Sequence, residues 1–171
     1  PNVMISLNTS PETKVGKVDK IDDKVIIQHV SGKQFSLDKP AFAKFLKEEQ
    51  CALSKAGFLF SQKKKGIIPE FLEYYYNQRV EVKKRLFKVK QAYKKDKNVK
   101  LKYEVERLNT EQMVIKILIN SCYGYMGNKR APIGDDDIAS SVTLTGQAVI
   151  KQSNEFIKDF IKLQVKDISD Y

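Results

Sequence analysis

Residue types that bind phosphate recur at helical spacing in the second half of the chain. Lys116, Asn120 and Tyr123 lie in the segment KILINSCYGYMGN and are four and three residues apart, so on a helix they project from one face. Arg79 and Lys83 are also four residues apart. Arginine and lysine side chains bind phosphoryl oxygens and stabilise negative charge on a leaving group. If the three cations converge, a triphosphate is the natural ligand.

On spacing alone, a less specific interpretation is favoured. Lys116 would then be an exposed lysine on the flank of a helix. Arg79 and Lys83 would form ordinary ion pairs with acids such as Glu73 and Glu81.

Two long helices must position these residues. Apolar residues recur at helical spacing over residues 69–93 and again over residues 101–122, on either side of a polar break at residues 94–98. A short polar turn between two long amphipathic helices predicts an antiparallel helical hairpin. In that hairpin Arg79 would lie opposite the region of Lys116.

The N-terminal third of the chain has a different pattern. Residues 14–37 alternate β-branched or aromatic residues with polar ones, with breaks at Asp22-Asp23 and Ser31-Gly32, which predicts a small antiparallel β-meander. A short helix is expected over residues 39–54, begun by an early proline, and a brief strand over residues 57–60.

A final long helix is predicted from about residue 138 to residue 163 by its apolar spacing. The predicted fold class is α+β and mostly helical, with a long antiparallel hairpin, a β-meander and a long C-terminal helix. The hairpin would occupy residues 66–127, between an N-terminal segment of residues 1–65 and a return segment of residues 128–171.

Composition and charge narrow the function classes. A chain of 171 residues with 42% hydrophobic content buries a substantial core, and it has no apolar run of membrane-spanning length and no signal-peptide layout, so an intracellular protein is expected. The net charge is +10, and between Arg79 and Arg107 twelve basic residues face four acidic ones, a balance of 12 − 4 = +8. This segment is either a surface for polyphosphate or nucleic acid, or a solvated helical face.

Other reactive side chains favour structural roles. Cys51 and Cys122 are far apart, without a CxxC spacing, and are interpreted as small buried hydrophobes. His29 is interpreted as a packing or surface residue of a strand. The acids at residues 135–137 stand just before the final helix, where capping of free N–H groups is favoured over metal binding.

The segment KILINSCYG resembles the KxxxNSxYG motif, called motif B, of family B DNA polymerases. Further segments follow in the same order and resemble that family, especially the replicative polymerases of T-even phages. They are SPET at residues 10–13, GIIPE at residues 66–70, YGYMGN at residues 123–128 and TLTGQ at residues 143–147. The resemblance covers most of the chain, is weakest over residues 15–53, and implies that the hairpin is the fingers and its flanks are parts of the palm.

The resemblance implies a nucleotide site. Arg79, Lys83 and Lys116 resemble the fingers residues that bind the phosphates of the incoming dNTP. Lys116 also resembles the proposed general acid that protonates the departing pyrophosphate. Asn120 matches the motif B asparagine that supports the nucleotide pocket.

The resemblance also implies a DNA contact. Tyr123 and Gly124 match the position under the nascent base pair, and Gly124 and Gly127 would let the duplex approach the backbone without a Cβ clash. A glycine stop at the end of a helix is a compatible structural interpretation of the same glycines.

The family uses paired carboxylates and two Mg²⁺ ions for phosphoryl transfer. By resemblance, those aspartates would lie just before Pro1 and just after Tyr171, so no metal ligand is expected in this chain and the isolated chain is expected to be inactive. The implied partners are primer–template DNA, dNTP and the remaining polymerase domains or chains, in the cytoplasm of an infected bacterium if the source is a phage.

The alternative from a different class is a non-catalytic basic helical hairpin that binds nucleic acid through the tip at residues 84–102. It predicts strong salt dependence and indifference to nucleoside triphosphates.

Overall fold

A computed structural model describes residues 1–21, 24–128 and 130–169, so the break predicted at Asp22-Asp23 lies outside the described residues. The fold is α+β and mostly helical, as predicted. The helices are α1 Asn2–Leu7, α2 Lys39–Glu48, α3 Ile67–Lys95, α4 Val99–Met126 and α5 Asp136–Ser169, with a 3₁₀ turn at Pro11–Thr13. The strands are β1 Lys14–Ile21, β2 Lys24–His29, β3 Gln34–Asp38, β4 Cys51–Leu53 and β5 Phe58–Ser61. None of the helices described has an apolar stretch long enough to cross a bilayer.

The five strands form one antiparallel sheet in the order β3-β2-β1-β5-β4. Its first three strands are the predicted meander, which is confirmed. Val25, Ile27 and Leu59 are buried on one face of the sheet, against partly buried apolar residues of α2. The sheet therefore has its own small core beside the hairpin.

The prediction of a helix over residues 39–54 is wrong for the second half of that range. Asp38 caps α2 by accepting a hydrogen bond from the Ala41 N–H, but the helix ends at Glu48. Gln50 has φ 50°, in the left-handed region, and the chain reverses so that β4 pairs with β5 as an edge strand. This pairing is a tertiary interaction, which local helical spacing does not indicate.

The helical hairpin is confirmed: α3 and α4 are antiparallel and joined by residues 96–98. Asn98 caps α4 by accepting a hydrogen bond from the Lys100 N–H. Apart from Pro69, the buried residues of both helices belong to one core cluster that also includes residues of α1, β5 and α5. Its members on the hairpin are Ile68, Leu72, Val82, Leu86, Leu108, Ile115, Ile119 and Met126.

The start of α3 is held by the N-terminal segment. Asn8 is buried with φ 56°, and its Nδ2 donates hydrogen bonds to the carbonyl oxygens of Ser61 (2.6 Å) and Lys64 (2.7 Å). The Gly66 N–H donates to Asn8 Oδ1 at 2.8 Å. A Cβ at Gly66 would stand 2.7 Å from Ser10 Cβ, so only glycine fits this close approach.

Glu12 completes the same contact. Its Oε1 accepts a hydrogen bond from the Ile67 N–H at 2.7 Å, and its Oε2 accepts one from Ser10 Oγ at 2.6 Å. The first N–H groups of a helix have no partner within the helix and carry partial positive charge, which a carboxylate satisfies. Because the N-cap Gly66 has no side chain, the N-terminal segment supplies the cap of α3. We call Asn8 and Glu12 the N-terminal clamp.

The clamp predicts a pH-dependent stability. Burial by itself raises the pKa of Glu12, but the hydrogen bonds from Ser10 and Ile67 outweigh it, so the pKa lies below its ordinary value. Stabilisation by Glu12 is therefore full above the unfolded-state pKa of about 4.3 and is lost as the pH falls through the lower folded-state pKa. In urea titrations from pH 6 to pH 3, Glu12→Gln is expected to lose less stability on acidification than the wild type. Glu48→Gln, an exposed acid on α2, is the control, and an unchanged pH profile in Glu12→Gln would contradict the prediction.

Candidate functional site

A cavity of about 670 Å³ lies where the base of the hairpin meets α1 and α5. Arg79 of α3 and Asn120 and Tyr123 of α4 line it, so the fold brings together three of the residues singled out in the sequence. On the opposite wall, α5 contributes Thr143 and Gly146. Both belong to the TLTGQ segment, whose contribution to the site the sequence analysis did not assign.

Arg79 has hydrogen-bonding capacity that the described residues leave unused. Its Nη2 donates to Gln112 Oε1 at 3.4 Å, a long bond. Its Nε is buried and has no hydrogen-bond partner among the described residues. A buried donor without a partner is costly, since the lost hydration is not replaced. The guanidinium therefore offers free donors at a cavity, as an anion-binding group would.

The ordinary ion pairs considered for Arg79 and Lys83 are not formed with the acids named. Glu73 pairs with Lys65, and Glu81 pairs with Lys84 at 2.8 Å. Those carboxylates are thus occupied by other lysines, and the described acids leave Arg79 without an ion pair.

Lys83 and Lys116 are exposed and do not line the cavity. On α4, Lys116 lies one helical turn before Asn120 and one helical turn after Gln112. Gln112 is the residue that accepts the hydrogen bond from Arg79. Lys83 lies one turn beyond Arg79 toward the tip of the hairpin. Within the described residues neither lysine has a carboxylate within 4.0 Å.

Tyr123 is fixed across the cavity by α5. Its hydroxyl lies 2.6 Å from Thr143 Oγ1, and that threonine hydroxyl donates to the Ala139 carbonyl at 2.9 Å. Because the Thr143 proton is used there, the Tyr123 hydroxyl is the donor. Tyr123 as a whole is 37% exposed and lines the cavity, while its hydroxyl is held by Thr143.

Three glycines near the site are not explained by contacts within the described chain. A Cβ at Gly124 or Gly146 would meet no atom within 4 Å, although both lie in helices. Gly127 is the C-cap of α4 and has φ −75°, a value that any residue adopts. The end of the helix therefore does not require glycine at this position. Glycine in a helix interior costs about 0.5–1 kcal/mol relative to alanine. These glycines fit a surface that another molecule approaches closely.

The acids before the last helix act as a cap, as predicted. Asp135 Oδ1 accepts hydrogen bonds from the N–H groups of Asp137 (2.9 Å) and Ile138 (3.3 Å). Lys14 contacts both carboxylates, Asp135 at 2.6 Å and Asp137 at 3.0 Å. Burial by itself lowers the pKa of Lys14, but these hydrogen bonds outweigh it, so its pKa is raised. The described residues contain no group of three or more acids, histidines or cysteines arranged to hold a metal ion.

The cysteines and the histidine have the structural roles expected. Cys122 packs against the main core and Cys51 against the sheet core, and burial raises the pKa of both thiols. His29 lies at the end of β2, with Nδ1 2.7 Å from the Ser31 hydroxyl. None of the three lines the cavity at the base of the hairpin.

Comparison with solved structures assigns the fold. The structure of the family B DNA polymerase from the hyperthermophilic archaeon Pyrobaculum calidifontis matches 93% of this chain with a TM-score of 0.61 and 23% sequence identity, over 17% of that polymerase chain. The sequence model of DNA polymerase family B matches residues 1–170. The chain belongs to family B of the DNA polymerases.

Curated relatives agree with this assignment. The catalytic subunit of DNA polymerase delta from Candida albicans is 30% identical over 103 residues, covering 60% of this chain and 9% of that protein. The DNA polymerase of Orf virus (strain NZ2) is 29% identical over 153 residues, covering 88% of this chain and 14% of that protein. The chain thus spans about a tenth to a seventh of the length of these relatives. The closer resemblance to T-even phage polymerases stays a prediction.

The open space around Gly146 predicts a stabilising substitution. Gly146→Ala is expected to raise the free energy of unfolding by about 0.5–1 kcal/mol, because alanine favours the helix and its methyl group meets no atom. Urea unfolding measures the change. Ala148→Gly, two residues along the same helix, is the matched control and should lower stability by about the same amount. A loss of stability in Gly146→Ala would show that the chain itself requires this glycine.

Proposed function

We propose that this chain is the dNTP-binding fingers and adjoining palm segment of a template-directed DNA polymerase, most similar to those of T-even phages. The observation that carries the proposal is the half-buried Arg79, whose Nε has no partner among the described residues and which shares a cavity with Asn120 and Tyr123. Membership of family B supplies the reaction class.

In this proposal the base of the hairpin binds the triphosphate. The Arg79 guanidinium donates to phosphoryl oxygens, and Lys83 and Lys116, one turn away on either helix, add positive charge where it develops on the leaving group. The primer 3′-hydroxyl gives up its proton to solvent and its oxygen bonds to the α-phosphorus. As the bond from that phosphorus to its bridging oxygen breaks, the ammonium group of Lys116 donates a proton to the departing pyrophosphate. Asn120 supports the nucleotide from the same wall.

Tyr123 is the proposed contact to the nascent base pair. Its hydrogen bond to Thr143 restricts rotation of the ring, so the base pair would meet a surface of fixed shape. Gly124 and Gly127 would leave the backbone open to the duplex, and Gly146 would do the same from α5.

The divalent ions that family B polymerases use do not fit the residues described. Asp135 and Asp137 are engaged by Lys14 and by the cap of α5, and the described part of the chain has no other candidate cluster. We therefore place the metal ligands in the remainder of the complete protein, and expect this chain alone to be inactive. Primer–template DNA, dNTP and the other polymerase domains are its proposed partners.

Calorimetry of the 171-residue chain with dNTP and Mg²⁺ tests the site. Weak binding is expected for the wild type and is lost in Arg79→Ala and in Lys116→Ala, because each removes a phosphate contact. Lys47→Ala, an exposed lysine of α2, is the control and should bind as the wild type does. Binding that is unchanged in both Arg79→Ala and Lys116→Ala would contradict the proposed site.

The catalytic role of Lys116 is tested in a complete polymerase that carries this segment. Lys116→Ala is expected to lower kcat by roughly 100-fold or more, the usual size of a general-acid contribution, with a smaller change in KM. Lys47→Ala serves again as the control. Turnover near the wild-type rate in Lys116→Ala would contradict the assignment.

A further inference from the structure

The free end of the hairpin carries a dense positive charge that the nucleotide site does not use. Between residues 84 and 102 nine basic residues face one acid, Asp96, a balance of 9 − 1 = +8 in nineteen residues. All nine basic side chains are exposed. They are Lys84, Arg85, Lys88, Lys90, Lys94, Lys95, Lys97, Lys100 and Lys102. We call this segment the basic tip.

The described residues neutralise little of this charge. Of the nine cations, only Lys84 has a carboxylate within 4.0 Å among the residues described, namely Glu81. The buried packing between α3 and α4 is apolar and includes Leu86 and Leu108. Mutual repulsion of unpaired cations destabilises the tip, so its composition is not explained by the stability of the hairpin.

Two aromatic rings are exposed among these cations. Phe87 is 63% exposed and Tyr103 is 70% exposed. On the surface of α3, Phe87 has Lys84 and Lys90 as neighbours three residues away on either side, and Lys100 has the same relation to Tyr103 on α4. Exposed aromatic rings within a basic surface are the combination that binds single-stranded nucleic acid, because the cations meet phosphates and the rings stack on unpaired bases.

We propose that the basic tip is a binding surface for single-stranded polynucleotide, separate from the nucleotide site at the base of the hairpin. The α3 side alone, from Lys84 to Lys95, extends about 17 Å at 1.5 Å per residue, enough to contact several nucleotides. Arg79 lies near the middle of α3, about 17 Å along the helix axis from Lys90 at 1.5 Å per residue, and its contacts are with Gln112 and the cavity. The inference goes beyond the proposed function, and either can fail without the other.

The test is fluorescence anisotropy of a labelled oligothymidylate 20-mer with the 171-residue chain, between 50 and 300 mM salt. The triple variant Lys90→Gln/Lys94→Gln/Lys97→Gln is expected to bind at least tenfold more weakly at 50 mM salt. Its slope of log affinity against log salt should be smaller by about 2, since each lost phosphate contact to a single strand contributes roughly 0.7. The charge-matched control Lys24→Gln/Lys33→Gln/Lys47→Gln, on exposed residues of the sheet region, should keep the wild-type slope.

Stacking is tested separately from charge. Phe87→Ala is expected to weaken oligothymidylate binding roughly fivefold or more without changing the salt slope. A duplex of the same length should bind more weakly than the single strand and should not respond to Phe87→Ala. Arg79→Ala should leave oligonucleotide binding within twofold of wild type, which distinguishes this surface from the triphosphate site. Circular dichroism confirms that each variant is folded.

Several outcomes would overturn the proposal. One is the absence of oligonucleotide binding at 50 mM salt, and another is an equal effect of the tip triple and the control triple on the slope. Unchanged binding in Phe87→Ala would leave no role for stacking and would also overturn it. Equal affinity for polyglutamate of matched charge would identify the tip as a surface for an acidic protein.

Discussion

The position of the hairpin depends on the hydrogen bonds between the N-terminal clamp and the first turn of α3. Asn8 accepts a hydrogen bond from the N–H of Gly66, 58 residues away in the sequence. Glu12 accepts one from the N–H of Ile67, 55 residues away. A helix of 29 residues acts as a lever, because a small rotation at its first turn displaces its far end by many times as much. By accepting hydrogen bonds from these free N–H groups, the buried Asn8 and the exposed Glu12 restrict that rotation, and with it the position of Arg79 relative to α5.

The cavity at the base of the hairpin combines features that reduce the stability of the chain. It is lined by Arg79, whose buried Nε has no hydrogen-bond partner among the described residues, and by Gly146, a helical glycine at which a Cβ would meet no atom within 4 Å. Native structures pair most of their buried polar atoms and prefer alanine inside helices. Both rules are broken at this one cavity, and the proposed function accounts for both exceptions, with an anion at Arg79 and a duplex close to the backbone at Gly146.

The positive charge of the hairpin divides into two kinds. At the base, Arg79 is half-buried beside the cavity, and partial desolvation strengthens the interaction of its guanidinium with an anion. At the tip, the cations are exposed, so salt screens them and they attract any polyanion. If both proposals hold, the same pair of helices joins a selective anion site to a surface of low specificity.

The sequence by itself determined the elements whose signals are local: the meander of residues 14–37, the two hairpin helices and the cap at Asp135 follow from alternation, helical spacing and capping chemistry. The resemblance of residues 116–124 to motif B indicated the family. It also singled out Asn120 and Tyr123, which line the cavity. Only the tertiary structure decided that residues 51–53 form a strand, that Glu12 caps α3 and that Thr143 holds Tyr123. Each of these depends on a partner distant in sequence, and local propensity carries no information about such a partner.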